Sequence, residues 1–322
     1  MTELYRVENL RVDMQLPGGL IPFAKPPQLN ILDGISFSLD AGETFGLVGE
    51  SGSGKTTLAR AMLGLVPATG TLRFRGAALE EASLRRDTAM MFQDPVASLS
   101  PRMQVGAAIT EPYAIHRIPR AERTSAADLL ARVGLPPALA GRYPHELSGG
   151  QARRVCAARA LALNPALVIA DEPTAGLDVS IQGDILNLMA DLKRDRGIAF
   201  LIITHNLSVL RHPAVRVAVL YLGRLVETGP AAEVFARPLH PYTASLIASE
   251  PDPDPRRRRA DLAIRGEIPG LLRRPSGCVF HTRCPLAEAR CRSEAPILRE
   301  IAPGRSLRCH LAGQEPTERT PT

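Results

Sequence analysis

The sequence predicts an α/β protein in which helices cover both faces of a mostly parallel sheet. Residues 44–48, 166–170 and 199–203 form short, continuous apolar runs, which are typical of parallel strands buried on both faces. A glycine-rich loop, Gly49 to Thr56, follows the first run and leads into a helix-compatible segment that begins at Lys55. Strands that alternate with helices in this order build a layered α/β sheet.

Two more strands are predicted near the N-terminus. Apolar and polar residues alternate from Leu10 to Leu16 and from Ile35 to Leu39, which is the period of a half-buried strand. In the helix that starts at Lys55, we expect Leu58, Met62 and Leu65 to lie on one side.

A helical insertion is predicted between Lys55 and the end of the second apolar run at Asp171. These residues are 171 − 55 = 116 positions apart, far more than one crossover helix needs. Residues 95–144 lack strand alternation, and residues 121–133 are compatible with a helix. We therefore expect a helical subdomain at about 95–163 within a first domain, 1–235. Residues 236–322 form a smaller segment, called here the C-terminal extension.

The charge of the chain is compatible with several partners. The net charge is +6 and the isoelectric point is about 9.4, values found in proteins that bind nucleic acid or an anionic membrane face. Four arginines, 256–259, are consecutive and lie among prolines, and a solvated linker is the simplest interpretation. Contact with lipid headgroups is the alternative.

The location of the protein is predicted from what the sequence does not contain. No apolar stretch approaches the roughly 20 residues of a membrane span, and residues 1–14 carry five charged side chains, unlike a signal peptide. We therefore expect a soluble chain that works in the cytoplasm.

The glycine-rich loop matches the phosphate-loop pattern. Its backbone N–H groups are expected to wrap the β-phosphate of a nucleotide, and its glycines permit the close approach. Lys55 supplies a positive charge for the β- and γ-phosphates, and the Thr56 hydroxyl is a candidate Mg²⁺ ligand. The candidate nucleotide-binding residues are Gly49, Gly52, Ser53, Gly54, Lys55, Thr56 and Thr57.

Two acidic residues follow the second apolar run. Asp171 is expected to hold Mg²⁺ through water, because parallel sheets bind ligands at the carboxyl ends of their strands. Glu172 is a candidate general base for the attacking water, since a carboxylate that does not bind the metal can polarise that water. An Asp-Glu pair in a solvated loop is the alternative interpretation.

A second phosphate-binding element is predicted at Ser148, Gly149, Gly150 and Gln151. The segment 151–163 is rich in Ala, Arg and Leu and should form a helix that begins at this turn. A helix N-terminus presents free N–H groups and the positive end of a dipole, which favour phosphate.

The stretch His145 to Gln151, between the phosphate loop and the Asp171 strand, resembles the signature of the ABC transporter ATPases. The resemblance implies a RecA-like P-loop core with antiparallel β and helical subdomains, and ATP hydrolysis between two subunits. By the same resemblance, Gln93 senses Mg²⁺ and the γ-phosphate, His205 contacts the γ-phosphate, and Asp178 belongs to a loop between the subunits.

The sequence departs from the common family pattern at several places. Ala152 follows the signature where Arg or Lys is usual, and Asn206 follows His205 where Asp is usual. Ala175 and Gly176 replace the usual Ser-Ala before Leu-Asp. None of these changes removes a catalytic group. Phe23 is the nearest candidate for the aromatic residue that stacks on adenine.

Further motifs resemble the ATPases of oligopeptide/dipeptide importers, most closely the second of their two ATPase subunits. They are residues 92–95, 98–102, 238–243, 265–269 and 277–285. The family implies a head-to-tail heterodimer with a second ATPase subunit, docked beneath two permease subunits at the cytoplasmic face of the membrane. A separate binding protein captures the substrate, and no nucleic acid takes part.

Other functions remain open from the sequence. A soluble ABC ATPase of DNA repair or translation would typically show a long heptad insertion or tandem ATPase domains, which are absent. An importer subunit for a non-peptide solute such as nickel would carry the same motifs. A metal-sensing or redox regulator would explain the cysteines but not the hydrolytic residues.

Five cysteines complete the candidate residues. Cys156 is most simply a small buried apolar residue. Cys278, Cys284, Cys291 and Cys309 are spaced Cys-x5-Cys-x6-Cys-x17-Cys, which matches no common zinc or ferredoxin pattern. Disulfides are not expected in a reducing cytosol. The family resemblance implies that these four thiolates bind a [4Fe-4S] cluster; Zn²⁺ and no metal are the alternatives.

Overall fold

A computed structural model describes residues 2–15, 28–79, 81–249 and 266–311. The strands are β1 (Glu3–Gln15), β2 (Gln28–Asp40), β3 (Thr44–Val48), β4 (Thr69–Phe74), β5 (Ala77–Ala78), β6 (Thr88–Met91), β7 (Leu167–Asp171), β8 (Ala199–Thr204), β9 (Arg216–Tyr221), β10 (Arg224–Pro230), β11 (Arg299–Ala302) and β12 (Arg305–Leu307). The helices are α1 (Lys55–Met62), α2 (Glu81–Asp87), α3 (Val105–Ile115), α4 (Ala126–Arg132), α5 (Gly149–Leu161), α6 (Val179–Arg196), α7 (Ala231–Ala236), α8 (Pro241–Ala248) and α9 (Ala289–Ser293).

The predicted α/β class is confirmed, and the sheet pairing is mixed parallel and antiparallel. The three continuous apolar runs form β3, β7 and β8, whose residues are all buried. The described residues of the two alternating segments, 10–15 and 35–39, lie in strands β1 and β2, and Leu16 lies outside the described residues. Phe23 and its proline-rich segment lie outside the described residues, and so do the arginines 256–259.

Two helix predictions need correction. The helix predicted over 121–133 begins only at Ala126, because the Ser125 side chain accepts a hydrogen bond from the Asp128 N–H and caps the helix there. Helix α1 ends at Met62, and Gly64 turns the chain with a φ of +67°. Leu65 is therefore 51% exposed instead of sharing the buried side of Leu58 and Met62.

The chain forms two compact units. The first contains Met1–Tyr5, Leu39–Thr44 and Phe74–Ile203. In this unit β6 pairs parallel with β7, and β7 pairs parallel with β8. The helices α3, α4 and α5 of the predicted helical subdomain pack on one another here. Gly106 of α3 allows the close approach of the 3-10 helix Pro137–Gly141, since a Cβ there would lie only 3.1 Å from Ala140.

The second unit contains Arg6–Ser38, Phe45–Arg73 and Thr204–Thr322. Its strands follow the order β11-β12-β10-β9-β3, with β3 and β9 parallel and β9, β10, β12 and β11 antiparallel in turn. In a separate sheet of this unit, β1 lies between β2 and β4. The C-terminal extension thus adds β11 and β12 to the sheet that carries the phosphate loop at the end of β3.

A buried ion pair holds β12 to β10. The Arg305 guanidinium lies 2.9 Å from the Glu227 carboxylate, and the two side chains are 6% and 0% exposed. The carboxylate also accepts hydrogen bonds from the N–H groups of Leu239 and His240. Arg305 donates to the carbonyl oxygen of Arg237 as well. Each charge is therefore paired and hydrogen-bonded, as burial requires.

We predict that Arg305→Met lowers the free energy of unfolding by about 3–5 kcal/mol, because it leaves the buried Glu227 carboxylate without its counter-charge. Urea unfolding measures the effect. Arg299→Met is the matched control, since Arg299 lies exposed on the neighbouring strand β11. Equal unfolding free energies for the two variants would contradict a stabilising role of the pair.

Candidate nucleotide-binding site

The phosphate loop of the second unit is seated on the turn between β9 and β10. A Cβ at Gly49 would lie 2.2 Å from the Leu220 carbonyl oxygen, so only glycine fits. The N–H of Gly223 donates to the Ser53 carbonyl oxygen at 2.9 Å. Gly52 and Gly54 adopt φ values of +78° and +104°, which residues with a side chain rarely adopt. These contacts shape the loop that leads into α1.

Lys55 is the buried cation of this loop. The residue is 7% exposed, and its Nζ donates to the carbonyl oxygens of Gly49 at 2.7 Å and Glu50 at 3.0 Å. Thr56 and Thr57 follow in the first turn of α1 and are half-buried. The predicted nucleotide-binding residues of the phosphate loop therefore lie together in one unit.

The acidic pair lies in the first unit. Asp171 ends β7 and is 3% exposed, and Glu172 is 7% exposed with a φ of +51°. This left-handed backbone is held on both sides of the residue. The Glu172 N–H donates to the Ile203 carbonyl oxygen at 2.8 Å, and the Glu172 carbonyl oxygen accepts from Arg153 at 2.7 Å.

Arg153 was missed by the sequence analysis. This α5 residue is 6% exposed and donates to the carbonyl oxygens of both Glu172 and Ala175. It therefore braces the segment that runs from Glu172 toward Asp178. The only sequence signal is an arginine two positions after Gln151 in an alanine-rich helix, and that signal names no partner.

The signature turn caps helix α5. The Ser148 Oγ accepts from the Gln151 N–H at 3.3 Å, and the Gln151 Oε1 accepts from the Ser148 N–H at 3.0 Å, which is a capping box. The helix begins at Gly149, two residues before the predicted start, because Ser148 is a favourable N-cap. Ser148 and Gly149 are exposed. The helix N-terminus predicted to bind phosphate is thus present and reachable.

The remaining predicted site residues are exposed. Gln93 follows β6, and Asp171 ends the neighbouring parallel strand β7, so both lie at the carboxyl edge of this part of the sheet. Asp178 is the N-cap residue of α6. His205 follows β8, and Asn206, one of the departures from the family pattern, accepts from the Ser208 N–H and caps the next turn.

The four cysteines of the C-terminal extension lie in the second unit. The Cys278 N–H donates to the Cys291 carbonyl oxygen at 2.8 Å, and Cys278, Cys291 and Cys309 are buried. Burial, opposed by a backbone hydrogen bond at Leu286, raises the pKa of Cys284 to about 12, and the three neighbouring thiols add to this rise.

The described residues give no support for a metal site at these cysteines. Among the described residues, no group of three or more His, Cys, Asp or Glu is arranged to hold a metal ion. The iron–sulfur cluster and its zinc alternative therefore find no support in the structure. All five cysteines are free of disulfides, and Cys156 is buried as expected.

No helix in the described ranges combines the length and apolar character that a membrane span requires.

Comparison with family models and with known proteins identifies the family of this chain. Residues 32–175 match the family model "ABC transporter", and residues 226–291 match "Oligopeptide/dipeptide transporter, C-terminal region". A probable peptide ABC transporter ATP-binding protein of Sinorhizobium fredii is 46% identical over 96% of this chain and 90% of its own length. The chain belongs to the ABC transporter ATPases. As a member, it binds and hydrolyses ATP.

Other relatives of this ABC ATPase agree. The oligopeptide transport ATP-binding protein AppF of Bacillus subtilis is 45% identical over 89% of this chain and 91% of its own. OppF of Salmonella typhimurium is 44% identical over 92% of each chain.

Solved structures support the fold. CbiO1 of Clostridium perfringens, part of an ABC transporter complex, has a TM-score of 0.62 and 27% identity, covering 73% of this chain and 92% of its own. The ATP-binding cassette MJ0796, a dimer bound to ADP and Pi, has a TM-score of 0.61 and 25% identity over 71% of this chain and 99% of its own.

We predict that Gly49→Ala weakens ATP binding and lowers the free energy of unfolding by about 1–3 kcal/mol, because its Cβ would collide with the Leu220 carbonyl. Thermal unfolding and titration with a fluorescent ATP analogue measure both effects. Gly141→Ala is the control, since no atom lies within 4 Å of a Cβ there. Wild-type stability and affinity in the Gly49 variant would show that the loop tolerates the side chain.

Proposed function

We propose that this ABC ATPase powers the import of peptides or a related small solute through a membrane transporter. The observation that carries the proposal is the likeness, over nearly its whole length, to ATP-binding proteins of peptide transporters. The match of residues 226–291 to the C-terminal region of that group adds a feature beyond the ATPase core. We also propose domain boundaries at 1–235 and 236–322, with the helical subdomain at about 95–163.

We propose the following division of work among the site residues. The phosphate loop and Lys55 bind the β- and γ-phosphates, while Thr56 and Asp171 hold Mg²⁺, Asp171 through water. Glu172 accepts the proton of the attacking water. Its backbone is fixed by hydrogen bonds to its N–H and carbonyl groups, which supports a role that requires exact placement of the carboxylate. Gln93 senses Mg²⁺ and the γ-phosphate, and His205 contacts the γ-phosphate.

We propose that two ATPase subunits, this chain and a second one, form a head-to-tail heterodimer. The signature turn at Ser148 and Gly149 is exposed at a helix N-terminus, where it can receive the phosphates bound by the partner. Asp178 is exposed, and Val179 beside it is 84% exposed. Both residues are therefore accessible to a partner subunit.

A surface groove supports the docking of permease subunits. The groove is about 370 Å³ and lies in the first unit. Phe92 and Ile115 line it and are 39% and 67% exposed, and Arg159 adds positive charge. We propose that each ATPase subunit meets a permease subunit there, which would hold the chain at the cytoplasmic face of the membrane. The solute-binding protein would act on the other side.

Purification of the protein with its bound partners tests two other functions. Co-purification with permease subunits supports transport, whereas co-purification with nucleic acid or ribosomes would support a soluble ABC ATPase of DNA repair or translation. The ligand of the associated binding protein distinguishes peptides from another solute such as nickel.

We predict that Glu172→Gln retains ATP binding but lowers ATP turnover of the assembled transporter by about 10²–10⁴-fold, the usual contribution of a general base. Lys55→Ala should instead weaken ATP binding, because it removes the phosphate counter-charge. Phosphate release and nucleotide titration measure the two effects. Wild-type turnover in the Glu172 variant would exclude this residue as the base.

We predict that Ser148→Arg inhibits hydrolysis at the site whose phosphate loop belongs to the partner subunit, because the bulky side chain blocks the helix N-terminus that receives those phosphates. Photolabelling with a reactive ATP analogue locates the contact. Crosslinking of residue 148 to the nucleotide held by Lys55 of the same chain would contradict the head-to-tail arrangement.

The [4Fe-4S] cluster, with Zn²⁺ as its alternative, stays a hypothesis separate from hydrolysis. Iron, acid-labile sulfide and zinc analysis of anaerobically prepared protein tests it. Loss of metal in Cys284→Ser but not in the control Cys156→Ser would support it. Four thiols that react freely in metal-free native protein would exclude both metals.

A further inference from the structure

Glu50, the second residue of the phosphate loop, is held through three of its polar groups. Its N–H donates to the Tyr242 hydroxyl at 2.9 Å, and its carbonyl oxygen accepts from the Lys55 Nζ at 3.0 Å. Its carboxylate accepts two hydrogen bonds from the Arg283 guanidinium, at 2.7 and 3.0 Å. The C-terminal extension, through Tyr242 and Arg283, therefore supplies two of these three contacts.

The pair between Arg283 and Glu50 has the geometry of a strong interaction. Two parallel N–H···O bonds join a planar guanidinium to a carboxylate, which fixes direction as well as distance. The Arg283 side chain is 5% exposed and that of Glu50 is 22% exposed. A pair so poorly exposed is weakly screened by salt, unlike an ion pair on the surface.

An aromatic cluster holds Arg283 in place. Phe280 lies with its ring centroid 5.2 Å from that of Tyr221 and 5.3 Å from that of Tyr242. The Arg283 guanidinium lies 5.8 Å from the centre of the Tyr221 ring, at cation–π distance. The guanidinium is therefore positioned by packing as well as by its partner.

A second arginine of the extension binds β2, which is itself hydrogen-bonded to the turn beside the phosphate loop. Arg274 donates to the side-chain and backbone oxygens of Asn30 in β2, at 2.7 and 2.9 Å. The Asp33 N–H, three residues further along β2, donates to the Gly223 carbonyl, and the Gly223 N–H donates to the Ser53 carbonyl. The extension is thus linked to the phosphate loop through β2 and Gly223 as well as through Arg283.

We propose that Arg283 is a positioning residue for ATP, through which the C-terminal extension fixes the phosphate loop and neutralises the Glu50 carboxylate. This proposal rests on the proposed binding of the ATP phosphates by that loop. Glu50 belongs to a loop that must accept a polyanion, and an unpaired carboxylate there would repel the phosphates. The bidentate pair removes that repulsion and holds the Glu50 backbone, whose carbonyl oxygen bonds to Lys55.

The test compares Arg283→Gln, Glu50→Gln and the double variant in the assembled transporter. Arg283→Gln should raise the KM for ATP about tenfold, or about 1.4 kcal/mol, with a much smaller change in kcat. The double variant should recover most of this loss, because the repelling carboxylate is gone. Arg290→Gln is the matched control, since this exposed arginine of the same extension pairs with Glu288 and should leave KM unchanged.

The possible outcomes separate this proposal from the proposed function. A wild-type chain that does not bind ATP at the phosphate loop would overturn both. Normal ATP hydrolysis by the wild type, with an unchanged KM in Arg283→Gln, would overturn the positioning role alone. An equal rise in KM in Arg283→Gln and in the double variant would also overturn the positioning role, since general damage to the fold is not relieved by removing the Glu50 carboxylate. If Arg283→Gln does not fold, Arg283→Lys, which keeps the charge but loses the bidentate geometry, should show a smaller rise in KM, and no rise would contradict the proposal.

Discussion

The close approach of the phosphate loop to the turn between β9 and β10 is the constraint on which the nucleotide site depends. Gly49 has no room for a side chain beside the Leu220 carbonyl, and Gly223 would collide with the Ile31 carbonyl if it carried one. Leu222 and Gly223 both have positive φ values, as in the tight turns that join antiparallel strands. Backbone packed against backbone leaves the loop a narrow choice of conformations, and α1 begins where the loop ends.

Arginines of the C-terminal extension then add charge to this arrangement. Arg283 forms an ion pair with Glu50 in the loop, and Arg305 forms one with Glu227 in β10. Arg274 donates a hydrogen bond to Asn30 in β2. The guanidinium group suits all three places, because it can donate several hydrogen bonds in one plane while its charge is compensated. These polar contacts with fixed directions, together with the packing of Phe280 on Tyr221, bind the extension to the ATPase core.

In the first unit, an arginine also fixes the site, here through hydrogen bonds to backbone carbonyl groups. Arg153 donates hydrogen bonds to the carbonyl oxygens of Glu172 and Ala175, and the Ile203 carbonyl oxygen accepts a hydrogen bond from the Glu172 N–H. Glu172 keeps a left-handed backbone that a glutamate adopts only at a cost in free energy. The surrounding hydrogen bonds maintain it. A strained residue with such support is typical of sites where one side chain must be placed accurately.

The sequence by itself determined the parts whose physics is local. The apolar runs fixed β3, β7 and β8, the glycine pattern located the phosphate loop, and Ser148 with Gln151 marked the start of α5 to within two residues. Periodicity and motif spacing act over a few neighbouring positions, so one sequence is enough to detect them. Only the tertiary structure decided that Arg283 reaches Glu50, 233 positions away, and that Arg153 braces Glu172. It also gave the four cysteines of the extension buried or half-buried positions in the second unit. These outcomes depend on which long side chains the folded backbone brings within hydrogen-bond distance, and no local pattern encodes that choice.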